Sequence, residues 1–106
     1  MISVPGARAL WLKEEVPAGP PEAFMTGREF AHIHPMPDGS LHACLPPERV
    51  REAIEAGWAE QHPVAMMGYI PDNTVMIYGP RDERDLKVVF ELVVESYRYA
   101  GGTPGR

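Results

Sequence analysis

Apolar and polar side chains alternate through REFAHIHPMPDGSLHACLPP, residues 28–47, on either side of a Pro-Asp-Gly turn, a pattern that predicts a β-hairpin. A three-residue loop at Pro37-Asp38-Gly39, with Gly39 left-handed, pairs His34 with His42 and His32 with Cys44. The pleat then places Phe30, His32, His34, His42 and Cys44 on one face, and Ala31, Ile33, Leu41, Ala43 and Leu45 on the other. Upstream, a short edge strand is expected from Ala9 to Lys13, followed by a Pro/Gly-rich connector from Val16 to Pro21.

Helical spacing takes over in LPPERVREAIEAGWAEQHP. Pro47 suits the first turn, Gly57 suits a left-handed stop, and Val50, Ala53, Ile54 and Trp58 form a stripe expected to cover the apolar face of the hairpin. The next stretch, GWAEQHPVAMMGYIPDN, reads as a loop, and TVMIY as a strand. In RDERDLKVVFELVVESYRYAGG, acids at Asp82, Glu83 and Asp85 favour a helix start, and Gly101-Gly102 ends the helix. Leu86, Val89, Phe90, Val93, Val94 and Tyr97 are its expected buried stripe, with Tyr99 exposed. The order is β-β-β-α-β-α: an α+β fold, with an antiparallel sheet of about four strands and two helices on one face.

The chain has 106 residues, enough for one domain spanning 1–106 with a modest core. Its 12 Pro and 10 Gly exclude a long coiled coil or helical bundle. A formal charge of −5 with no basic patch argues against nucleic acid and anionic membranes as partners. A single cysteine, the absence of a basic-then-apolar leader and of any apolar run near 20 residues point to a cytoplasmic location.

All four histidines, His32, His34, His42 and His62, fall in a window of 31 residues, three of them on one predicted sheet face with Cys44. Imidazoles and a thiolate are ligands for zinc, copper or iron, so His32, His34, His42 and Cys44 form a candidate metal set, with Glu29 and Glu60 as carboxylate sources. The same rings also serve acid–base chemistry, and Cys44 beside His32 has the makings of a nucleophile–base pair. The bland alternative is a half-polar face bonded to backbone or water. Trp58, Glu60 and His62 suit a pocket wall, unless Trp58 only caps the core. Arg81, at the start of the last helix, suits anion binding or pairing with Asp82, Glu83 or Asp85. Tyr99 with Met66, Met67 and Tyr69 suggests a self-association patch and a homodimer. No phosphate-binding glycine loop or hydrolase elbow is present.

The segments REFAHIHPMPDGSLHACLPPE, EAGWAEQHP and MIYGPRDERDL together resemble a family of small, mostly bacterial domains of unassigned function, called luciferase-like through similarity to fungal luciferase. The resemblance covers Glu29 to Tyr97 and touches Glu29, His32, His34, Ser40, His42, Gly57, Trp58, Glu60, His62, Pro63, Pro80 and Arg81. It implies an oxygen-dependent, metal-free oxidation of a planar polyphenolic pyrone, and no cofactor is expected. The element order also looks like small double-wing α+β domains related to a DNA-binding group, against which the net charge speaks.

The leading expectation is therefore a small-molecule pocket on the histidine face. His32, His34, His42, Glu60 and His62 carry the chemistry, and Glu29, Trp58 and Arg81 bind the ligand. A metal-binding domain and a dimeric interaction module are the alternatives.

Overall fold

A computed structural model describes residues 8–34, 39–68 and 70–101. Its described elements are β1 (Arg8–Trp11), a 3-10 turn (Pro21–Ala23), β2 (Glu29–Ile33), β3 (Leu41–Cys44), α1 (Pro47–Glu55), β4 (Ala59–Gln61), α2 (Pro63–Met66), β5 (Thr74–Ile77) and α3 (Glu83–Ala100). The strands form one antiparallel five-stranded sheet in the order β1-β2-β3-β5-β4. The α+β class is as expected. β4 and the short α2 are additions inside the segment the sequence pattern assigned to a loop, where Ala59, Glu60 and Gln61 pair with β5. Among the described residues no helix is long and apolar enough to cross a membrane.

The hairpin closes in a different register from the expected one. Ala31 pairs with Ala43, His32 with His42 and Ile33 with Leu41, and the His34 N–H donates to the Ser40 carbonyl at 2.8 Å. The pairing of His34 with His42 and of His32 with Cys44 is thus corrected by two residues. The connection runs from residue 35 to residue 39, longer than the expected loop. Residues 35–38 of that loop lie outside the described residues, while Gly39 does take a positive φ of 65°. A shift of two leaves each side chain on its original face, because strand side chains alternate with period two.

Helix α1 ends as its sequence directs. Gly57, at φ 83°, donates to the Ile54 carbonyl at 3.1 Å, and the Trp58 N–H donates to the Ala53 carbonyl at 2.9 Å. This pair of bonds satisfies carbonyls at the helix end, and the backbone conformation at Gly57 favours glycine. The helix packs beside β4, and it is α3 that lies over β2 and β3, so the hairpin cover expected from α1 comes from α3 instead. An ion pair from Arg49 Nε to Glu95 Oε1 at 2.8 Å joins α1 to α3 on the same face of the sheet.

The stripe that α3 buries is rotated by roughly a quarter turn from the apolar one, each residue advancing about 100°. Asp85, Val89, Leu92, Ser96 and Ala100 face inward, while Leu86, Phe90 and Tyr97 remain exposed. Tertiary hydrogen bonds make this possible. The Ser96 hydroxyl points to the Cys44 carbonyl at 2.7 Å and the Phe30 carbonyl at 3.3 Å. Tyr99, expected to be exposed, is half-buried, with its hydroxyl donating to Glu22 at 3.2 Å, so Tyr97 and Tyr99 exchange their expected roles. Small side chains at Ser96 and Ala100 suit a close approach of helix to sheet, and a satisfied serine removes the usual cost of burying a hydroxyl.

The core under the helices gathers Ala31, Leu41, Ala43, Val75 and Ile77 from the sheet with Val89 and Leu92 from α3 and Ala53 from α1. Buried Asn73 fastens the early connector to this body, its side-chain amide donating to the Glu22 carbonyl at 2.7 Å and the Leu45 carbonyl at 2.9 Å. The opposite face of the sheet carries the histidines.

Candidate functional site

One cross-strand row runs over that second face. Ala9, His32, His42, Met76 and Glu60 occupy matched positions on β1, β2, β3, β5 and β4. His34 projects from the same side one pleat further along β2, and His62 follows directly after β4. The rings converge: His32 to His34 is 5.2 Å between centroids, His32 to His42 4.6 Å, His34 to His42 4.4 Å, and His42 to His62 4.2 Å edge to face. His32, His42 and His62 are buried and His34 is partly so.

A β-bulge brings a carboxylate to this face. The β1–β2 ladder pairs Leu10 with Ala31 but Trp11 with Glu29, so Phe30 is an extra residue on β2. Alternation resumes after the bulge with Glu29 on the histidine side, where its Oε2 accepts from His32 Nδ1 at 3.1 Å. Phe30 is turned to the helix side, its ring 5.8 Å from that of Tyr97 and its side chain part of the core. The expected placement of Phe30 beside the histidines is corrected accordingly. Glu29 is buried, and hydrogen bonding to a buried carboxylate fixes both the ring orientation and the tautomer of His32.

The second polar contact joins His62 Nε2 to His42 Nδ1 at 2.9 Å, one ring donating to the other. Burial, and then the charges His32 and His34 carry when protonated, hold the His62 pKa below its ordinary value. A buried imidazole among other imidazoles resists protonation because a second positive charge nearby is costly. The nitrogens of His32, His34 and His42 lie within 4.8 Å of one another, one ligand atom from each ring, a spacing suited to a shared ion. Cys44 is outside that group. Its thiol contacts Thr74 Oγ1 at 3.4 Å, and burial pushes it up to about 11.

Three other expected site residues are placed apart. Glu60 shares the cross-strand row but is exposed at the sheet edge on β4. Trp58 and Arg81 line a separate cleft of about 230 Å³ together with Gly57, Tyr78, Asp85 and Val89, with no histidine in its wall. β4 and β5 explain the separation: Trp58 meets Tyr78 at one end of the pair, and His62 meets Thr74 at the other.

Arg81 is 85% exposed in its side chain and pairs with Asp85, Nε to Oδ2 at 2.8 Å, while its own backbone N–H donates to the same oxygen at 3.1 Å. The guanidinium hydrogen bond holds the Asp85 carboxyl below its ordinary value of 3.8. A carboxylate with a lowered folded pKa contributes stability that is complete above its unfolded value and lost as the pH falls through the folded one. Urea unfolding should therefore find Arg81→Ala less stable than the parent at pH 6, with the gap closing toward pH 2. A gap that widens in acid would contradict this assignment.

The luciferase domain family model matches residues 27–96, the stretch that holds Glu29, all four histidines and most of α3. The luciferases of Armillaria gallica and Armillaria mellea are each 33% identical over 107 residues, covering 92% of this chain and 40% of theirs. The luciferase of Neonothopanus nambi is 31% identical over the same span. The chain thus spans 40% of the length of these relatives. No solved structure gives a significant match. With its family match running from the turn before β2 into the last helix, the chain belongs to the luciferase domain family.

Proposed function

We propose that the histidine face is a small-molecule site at which an acidic planar compound, phenolic or enolic, is deprotonated and oxidised by dioxygen. The observation that carries this reading is the buried Glu29–His32 pair set beside three further imidazoles. A carboxylate behind an imidazole orients it as a base and stabilises the imidazolium that forms. His32 takes the substrate proton. The resulting anion forms a carbon–oxygen bond with dioxygen, so the substrate gives up two electrons, and dioxygen becomes a hydroperoxide that regains the proton.

In this reading His34 and His42 donate to the developing oxyanion, and His62 orients His42 through the 2.9 Å bond between them. Glu60 sits at the exposed rim of the row. The oxidative part of the reading is supported by the luciferase names of the relatives. An oxygen electrode with a panel of planar phenols and enols tests it. Uptake that saturates with one compound class, and that is lost in His32→Ala, is the expected result. No uptake across the panel, or equal uptake by that variant, would overturn it.

A further inference from the structure

We infer that His32, His34 and His42 form a binding site for one divalent first-row transition-metal ion. The inference shares the site of the preceding reading and rests on it only in taking this face as the functional one. Three imidazole nitrogens from two adjacent strands lie within 4.8 Å of one another. In a tetrahedral site with metal–nitrogen bonds of about 2.0 Å they would stand roughly 3.3 Å apart, so small rotations of the rings close the set. Register makes the cluster: His32 and His42 are direct cross-strand partners, and His34 is diagonal to His42.

The surrounding hydrogen bonds have the form that metal-binding histidines require. His32 commits Nδ1 to the Glu29 carboxylate, and His42 commits Nδ1 to His62. A ring that donates from Nδ1, as His32 does toward Glu29 and as His42 does when it is the donor to His62, coordinates through Nε2. A carboxylate behind a ligand histidine raises its basicity and fixes its angle. The bulge that turns Glu29 onto this face therefore supplies a ligand-orienting group, which the bland account of a half-polar sheet face does not require. Imidazole ligands suit zinc, iron, cobalt, nickel and copper, whereas magnesium and calcium prefer oxygen. Three protein ligands leave a coordination position open to substrate or oxygen. In the loaded chain these nitrogens would be ligands, so the base role given to His32 belongs to the metal-free chain, and the ion would supply the charge stabilisation assigned above to His34 and His42.

The test uses the full chain prepared without a polyhistidine tag, stripped with chelator, and titrated with Co²⁺ while its visible absorption is followed. One ion per chain is expected. His34→Ala and His42→Ala should each abolish saturable binding, and Glu29→Gln should weaken it by about 10- to 100-fold. As a check independent of variant folding, Zn²⁺ added to the unmodified chain should shift the side-chain nitrogen resonances of His32, His34 and His42. Absence of saturable cobalt binding, or nitrogen resonances that do not respond to zinc, would overturn the site. A stripped chain that consumes oxygen on a phenol yet takes up no cobalt overturns the ion site and keeps the small-molecule reading. A chain that takes up one cobalt and oxidises nothing does the reverse.

Discussion

Replacing His42 with Ala should reduce oxygen-dependent turnover by about 100-fold or more, the usual loss when a donor to a developing oxyanion is removed. His42 is the hub of the cluster. Its ring meets those of His32, His34 and His62, and it holds the 2.9 Å bond to His62. The substitution removes a hydrogen-bond donor at the developing charge and also frees His62 to turn. Deleting one partner of a buried hydrogen bond costs about 1–3 kcal/mol, so circular dichroism is run alongside to show that the variant is folded. His62→Gln should be milder, because it alters the orientation of His42 and leaves three of the rings in place. A His42→Ala chain with full turnover would remove the cluster from any catalytic role.

The largest effect on stability is expected at Leu92. Its side chain is fully buried between α3 and the sheet, and Leu→Ala at such a position costs about 3 kcal/mol through lost burial and the cavity left behind. Phe90, two residues earlier and larger, is 65% exposed, and Phe90→Ala should change stability by less than about 0.5 kcal/mol. The contrast tests the rotation of α3, since the apolar pattern alone ranks Phe90 as core and gives Leu92 no place in the stripe. Urea unfolding of both variants decides it. A larger loss at Phe90 than at Leu92 would restore the helix face expected from the sequence.

That contrast shows where sequence reasoning reaches and where it stops. Elements whose ends are marked by local chemistry were legible: Pro47 and Gly57 bound α1, and Asp82 caps α3 by accepting from the Asp85 N–H at 2.8 Å. The face of α3 was not, because Ser96 points inward to the carbonyls of Phe30 and Cys44, partners 66 and 52 residues away. β4 carries no sequence signal, since three residues, Ala59, Glu60 and Gln61, are too few to show a period and owe their extended form to pairing with β5. The histidine face is legible despite the register difference, because a difference of two residues preserves alternation.

The sequence marks Glu29 as a carboxylate source for the cluster, but simple alternation would point it away. Only the bulge at Phe30, set by pairing with β1, turns it to His32. Trp58 and Arg81 are close to the cluster in motif and apart from it in space. The antiparallel β4–β5 pair sends them to the end of the sheet opposite His62. Tertiary pairing thus decides which of the residues marked by the sequence act together.

The most direct test of the central claim, that the histidine face is the working surface, is side-chain NMR of the metal-stripped chain titrated with the planar phenol that supports oxygen uptake. The imidazole resonances of His32, His34, His42 and His62 should shift together and saturate, while the Trp58 indole stays in place. Shifts confined to Trp58, with the four imidazoles unmoved, would place binding in the Arg81 cleft and contradict the account.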